Sequence, residues 1–202
     1  MADLFARILE EGLAEGHEPA LTRKAREWYR ETAQDSFVRS QKQLIYSTPT
    51  LTTRVFPGFM YLFQYKAKTP TIPYYDIFPA VFPFKKERDG FYGINLHYLP
   101  LRFRAILMDN LYAIATDNNY DEDTRLRLRY SILESTAKFR YFRPCVKHYL
   151  NSRVMTRFAL IPSNQWDIAL FLPLERFTKV KGRRVPSITV YKDSTAAIRK
   201  GK

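Results

Sequence analysis

Asp76, Glu87, Asp89 and His97 are the side chains of the strand-rich stretch 51–99 best suited to acid–base or metal chemistry. A metal-dependent nuclease needs carboxylates clustered around Mg²⁺ and a lysine that positions the attack. Glu87 and Asp89 instead fall in Lys85-Lys86-Glu87-Arg88-Asp89-Gly90, a charged turn in which acids serve solvation and turn geometry. Asp76 follows Tyr74-Tyr75 and suits a turn cap or an arginine partner better than a metal. His97 lies in Asn95-Leu96-His97-Tyr98, where strand alternation puts it on one face with Asn95. A general base needs a nucleophile partner, and the sequence points to none. The acids at 121–123 read as a helix start. A Gly-rich phosphate loop, H-E-x-x-H, C-x-x-C and G-x-S-x-G are all absent from the sequence. Cys145 is the single cysteine, and His17, His97 and His148 are scattered, so no internal disulfide or zinc cluster is expected. The expectation is a protein without catalysis, metal, cofactor or small-molecule substrate.

The basic residues are the stronger lead. The chain of 202 residues has 33 Lys and Arg against 20 Asp and Glu, a net charge of +13. Such a balance calls for a polyanionic partner, nucleic acid or an acidic protein surface. The excess is uneven: residues 1–50 carry 7 basic and 8 acidic side chains, residues 151–202 carry 11 and 3. Lys179, Lys181, Arg183 and Arg184 form the densest cluster. Lys85, Lys86 and Arg88 at a predicted hairpin tip, with Arg102 and Arg104 beside it, form a second candidate patch. Phosphate contacts from such groups supply affinity without sequence preference. Phe91 and Tyr92 are the candidates to stack on a terminal base pair. A solvated turn and tail, or contact with acidic protein, are the competing readings. No stretch of about 18 apolar residues is present, so no spanning helix is expected. The acidic start MADLFARILEEGLAEG lacks the pattern of a signal peptide, so secretion is not expected.

Elements that would position these groups can be read from periodicity. Leu4, Phe5, Ile8, Leu9 and Leu13 form one stripe of a helix over 4–15 that stops near Gly16, with Asp3 as its cap. A longer, polar helix is predicted from 19 or 21 to about 46. It lies along its own domain or serves as an arm on a neighbouring subunit. Strands are predicted over 51–56 and 59–66, then a hairpin of 74–84 and 91–99. Pro79 and Pro83 require its first strand to be bulged or at an edge. Pro100 suits the start of a helix whose inward face is Phe103, Ile106, Leu107, Leu111 and Ile114. Asp121 caps another helix, with Leu126, Tyr130, Leu133 and Ala137 inward and Arg125, Arg129 and Arg140 off that face. Residues 153–162 read as a strand and 163–166 as a short turn. The last residues have some strand character at Val185, Ile188, Val190 and Tyr191, in a tail of the kind usually mobile. The expected domains are an N-terminal helical arm (1–49), a mixed core (50–178) with a helical insertion at about 100–143, and a basic tail (179–202).

Three strings in the strand region carry a family resemblance. Met60 to Tyr65 reads MYLFQY, Pro73 to Pro79 reads PYYDIFP, and Gly90 to Pro100 reads GFYGINLHYLP. Together they resemble the centre of the DNA-end protector proteins of contractile-tailed bacteriophages, over less than a quarter of the chain. The resemblance implies a virion protein made in the host cytoplasm. It would bind the end of packaged double-stranded DNA, block exonuclease by occlusion, and help complete the head–neck region, as a homo-oligomer or among other virion proteins. The alternative is a purely structural neck, tail or baseplate protein without DNA binding. A small-barrel nuclease is disfavoured for want of an acid–base pair. The order of elements predicts an α+β fold: a small twisted β-barrel of Src-homology type, with the helices of 100–143 inserted between its third and fourth strands. That likeness is to a fold and carries no function by itself.

Overall fold

The computed structural model describes residues 4–17, 51–67, 75–163, 166, 177–178 and 185–200. The predicted helix over 19–46 lies outside them, as do the predicted domain boundary near residue 50 and the basic cluster at 179–184.

The fold is α+β. Its elements are α1 (Leu4–Ala14), β1 (Leu51–Thr52), β2 (Met60–Leu62), β3 (Tyr75–Asp76), β4 (Ala80–Lys86), β5 (Gly90–Asn95), α2 (Leu101–Ala115), α3 (Glu122–Lys138), β6 (Val146–Leu150), β7 (Phe158–Ile161), β8 (Phe177–Thr178) and α4 (Ser187–Lys200). Six strands form an antiparallel sheet in the order β1-β7-β2-β4-β5-β6, and β3 pairs with β8 in a separate two-stranded sheet.

The six-stranded sheet is open and curled, and it does not close into the expected small barrel of Src-homology type. The curl is strong: Phe91 on β5 and Phe158 on β7 have ring centroids 5.9 Å apart. Those strands are three positions apart in the sheet, which would separate them by roughly 14 Å if it were flat. Phe63 draws the concave face together, meeting Phe91, Tyr149 and Phe158 edge-on at 6.0, 5.2 and 5.1 Å. Aromatic pairs prefer such edge contacts over stacked sandwiches.

Both faces of the central strands are buried. Tyr61, Phe63, Val81 and Phe91 enter the concave aromatic cluster, while Met60, Leu62, Ala80, Phe82 and Ile94 pack toward the helices. Strands covered on both faces read as continuous apolar runs rather than alternating ones, and Phe59-Met60-Tyr61-Leu62-Phe63 is such a run. On the helical side, α1 contributes Ile8 and Leu9, α2 Ala105, Met108 and Leu111, α3 Leu133, and α4 Val190.

Pro83 sits within β4, between β2 and β5 in the sheet, and the bulge that a proline demands is present: the register shifts between Pro83 and Lys85. The predicted second hairpin strand is cut short. It ends at Asn95, whose side chain accepts from His97 N at 2.9 Å and turns residues 96–98 into a 3-10 turn. Leu96, His97 and Tyr98 are therefore all buried on a turn, and do not alternate across a sheet.

The helical faces need correction too. Ile106 is exposed at 51%, whereas Ala105, Met108 and Asp109 point inward. The cause is α1, which packs on α2: Asp109 Oδ2 accepts from Ala6 N at 3.0 Å and satisfies a free donor in the first turn of α1. Asp121 caps α3 as expected, accepting from Thr124 N at 2.7 Å. Arg129, predicted off the inward face, is buried over the Phe59 ring. The terminal residues 187–200 form α4 instead of a strand. Val190 is fully buried in the core, and Tyr191 reaches the Tyr141 carbonyl, so the chain's own core holds this segment. Strand β6, Val-Lys-His-Tyr-Leu, was not expected, because charged and apolar residues mix in it without a clear period.

Gly90 begins β5 opposite Leu150 of β6. A Cβ there would lie 1.9 Å from the Tyr149 carbonyl oxygen. Backbone cannot yield as a side chain does, so Gly90→Ala is expected to destabilise the protein by roughly 3 kcal/mol in urea denaturation. A loss below about 0.5 kcal/mol would contradict this packing.

Candidate nucleic-acid interface

The β4–β5 hairpin projects its turn, residues 87–89, into solvent. Glu87 N donates to Gly90 O at 2.9 Å, and Asn151 N donates to Asp89 O at 2.9 Å, which ties the tip to the end of β6. Lys85 and Lys86 alternate to opposite faces. Lys85 Nζ lies 2.6 Å from Glu87 Oε1 and 5.6 Å from the Tyr92 ring centroid. The hydrogen bond to Glu87 raises the Lys85 pKa and keeps it charged. Lys86 Nζ stands 4.9 Å from the ring centroid of Phe56, which is 51% exposed.

Beside Lys86 the concave side of the sheet opens into a cleft of about 660 Å³. Val55, Phe91 and Phe158 form its buried floor, and Arg54, Lys86 and Arg157 stand on its rim with Glu87 as the acid. Arg54 and Arg157 are far apart in the chain and meet because β1 pairs with β7, Thr52 opposite Phe158. Phe56 and Met155, 51% and 58% exposed, lie beside the same rim. A basic rim next to exposed apolar groups can hold backbone phosphates and offer a surface to an end base pair.

Of the groups singled out from sequence, Lys85, Lys86 and Arg88 are exposed at the tip. Arg102 and Arg104 are not beside it. They follow the opposite end of β5, whose six residues rise about 20 Å. Arg102 is exposed there. Arg104 is 1% exposed and donates through Nη2 to Leu99 O at 3.3 Å, so its burial removes it from any surface patch. Phe91 is core, stacked on Tyr149, and Tyr92 stacks on His148 at 4.6 Å. Lys179, Lys181, Arg183 and Arg184 lie outside the described residues. Arg54, Arg157 and Phe56 carry one faint signal in the sequence. A Thr-Arg pair precedes an apolar residue at Thr53-Arg54-Val55 and Thr156-Arg157-Phe158, but also at Thr124-Arg125-Leu126 on α3, so the signal does not single out the cleft.

The carboxylate and histidine considered for chemistry meet inside the protein. His97 Nδ1 donates to Asp76 Oδ2 at 2.6 Å, and Asn95 Nδ2 donates to the same oxygen at 3.3 Å and to the Tyr149 hydroxyl at 2.9 Å. Asp76 Oδ1 accepts from Phe78 N at 3.1 Å, the turn cap expected of it. An aspartate that orients a histidine is half of a nucleophilic triad, but the His97 side chain is fully buried and its Nε2 has no hydrogen-bond partner among the described residues. Burial raises the Tyr149 pKa well above its ordinary value, so its hydroxyl stays neutral. Burial also pushes the Cys145 thiol up to about 12, which leaves it inert. Among the described residues no cluster of His, Cys, Asp or Glu could hold a metal ion, and no helix is long and apolar enough to cross a membrane.

The profile of the family described as the phage T4 terminal DNA protecting protein matches residues 3–194. The chain belongs to that family. The match runs from α1 through most of α4 and so takes in the sheet, the tip and the cleft. No curated protein and no solved structure matches the chain. For this DNA-protecting family member, the polar residues of the resembling strings, Asp76, Asn95 and His97, build the interior. The exposed cations of the tip and the cleft stand at the other end of β5.

Asp76→Ala leaves the Phe78 amide, the Asn95 amide and the His97 ring without their acceptor. It should cost roughly 3 kcal/mol, seen as a lower urea midpoint with secondary structure retained at zero denaturant. Cys145 should resist a neutral alkylating reagent in the native protein and react stoichiometrically once unfolded; native labelling at the unfolded rate would contradict its burial.

Proposed function

We propose that this protein binds the ends of packaged phage DNA without regard to sequence and protects them by occlusion, as a component of the virion at the head–neck region. Membership of a DNA-protecting family is the observation that carries this reading. The basic rim of Arg54, Lys86 and Arg157, with Lys85 and Arg88 at the tip, supports it physically. These cations would replace counterions along the backbone, while Phe56 would lie against the open face of the last base pair. Protection then needs no bond-breaking. His97 is buried away from any substrate, and the exposed acids Glu87 and Asp89 are engaged near Lys85 and His148. Contact with other virion proteins is supported by a separate exposed aromatic corner, Phe139 and Tyr141, 62% and 43% exposed.

Linear blunt duplex should bind more tightly than covalently closed circular DNA of the same sequence, and should be spared digestion by an exonuclease. The logarithm of affinity should fall steeply and linearly with the logarithm of salt. Each of Arg54→Ala, Lys86→Ala and Arg157→Ala should reduce that slope by about one. No binding at low salt would favour the purely structural neck, tail or baseplate role, and equal binding of linear and circular DNA would overturn the end-binding reading. Cleavage of DNA or RNA with Mg²⁺ that disappears in Asp76→Ala or His97→Ala would overturn the non-catalytic reading.

A further inference from the structure

A second pocket, of about 310 Å³, opens at the other end of β6 from the hairpin tip. Lys147 enters it from β6, with Tyr149 beside it on the same strand, Tyr65 and Tyr75 opposite, and Ser194 of α4. The Lys147 ammonium lies 4.0 Å from the centroid of the Tyr98 ring. No carboxylate pairs with it among the described residues. A partly buried cation without a counter-ion is costly to keep. Burial holds its pKa down to about 8, so it is charged at neutral pH at the expense of stability.

The rest of the pocket supplies donors. The Tyr149 hydroxyl accepts from Asn95 and the Tyr65 hydroxyl accepts from Leu150 N, which leaves both protons to donate. Asp76 reaches the wall, but its side chain is 1% exposed and its oxygens are engaged by His97, Asn95 and the Phe78 amide. A cation with several hydroxyl donors and no available acid is a site for a compact, highly charged anion.

We propose that the Lys147 pocket binds a phosphate monoester and, in this protein, receives the phosphorylated terminus of a DNA strand. The assignment deepens the end-binding reading and rests on it. The monoester is what a strand end has and an internal phosphodiester lacks: a second negative charge and three free oxygens. Lys147 and Asn151, which flanks the cleft, are four residues apart on one strand and its turn, or about 13 Å. The phosphates of one strand recur every ~3.4 Å along the duplex axis, so one duplex end is long enough to span both sites.

Binding of 5′-phosphorylated and 5′-hydroxyl blunt duplexes of one sequence tests this, together with thermal melting in inorganic phosphate against an equal ionic strength of chloride. The phosphorylated duplex should bind on the order of tenfold more tightly. Lys147→Met should erase that preference and leave the salt-dependent binding of the hydroxyl duplex unchanged; Lys147→Arg should retain part of it. Phosphate should raise the melting temperature of the native protein and not of Lys147→Met. In chloride alone Lys147→Met should melt higher than the native protein at pH 7. The depressed pKa costs stability fully below about pH 8, so that difference should fade as pH rises from there toward the ordinary lysine value. The titratable groups around the ammonium are Cys145 and, on the pocket wall, Tyr65, Tyr75, Asp76, Tyr98, His148 and Tyr149, so the comparison is made between variants at each pH. Equal affinity for the two duplexes with no effect of phosphate would overturn the proposal. Stabilisation by phosphate with equal affinity for the duplexes would overturn the strand-terminus assignment. If neither duplex binds but phosphate stabilises through Lys147, the monoester site stands and the end-binding reading falls.

Discussion

The Asp76 carboxylate holds the architecture together. One oxygen caps the turn after β3, and the other joins His97 and Asn95, with Asn95 passing the connection to Tyr149 on β6. The small β3–β8 sheet is thereby fastened to the end of β5, to the 3-10 turn that follows it, and to the edge strand of the large sheet. A buried polar network of this kind is stabilising only when its members are satisfied together. It also fixes register: a slip of one residue in β5 would carry Asn95 away from both partners.

Around that anchor, the two faces of the sheet have separate tasks. The convex side packs on the helices and gives the domain its main core. The concave side is filled by Phe63 and its aromatic neighbours, which curl the sheet until strands distant in order come into contact. The curl creates two openings, the basic cleft at the Phe158 end and the Lys147 pocket at the Tyr65 end. Gly90, on the wall of the cleft, permits the close approach of β5 and β6 there. The sites thus stand on strands that are fixed by packing, with the cations at their rims free to meet a partner.

The division of labour among charges follows from where the chain can afford water. Arg104 and Arg129 lie against the core, where they pack as much as they carry charge. Lys85, Lys86, Arg54 and Arg157 stand where hydration is kept, and there they contribute little to stability but much to the field that a polyanion meets. Net charge alone does not distinguish the two groups.

The sequence by itself determined the first helix, the hairpin and the capped helix at Asp121, and it marked a polyanion as the partner to expect, because charge, period and capping chemistry are local properties. It also narrowed the Pro83 strand to a bulge or an edge and Asp76 to a turn cap or an arginine partner, and the fold took the first of each. Tertiary structure decided the rest. The face of α2 was settled by α1 packing on it, and Ile106 was left outside. The end of the chain became a helix because the core offers Val190 a place. Arg54 and Arg157 became neighbours through the pairing of β1 with β7, and Asp76, Asn95 and His97 became one network through the meeting of β3 with the end of β5. These are contacts between residues distant in the chain, and no local period records them. Asp76 and His97 were visible from the start; their burial and their joining with Asn95 into one structural network belong to the fold.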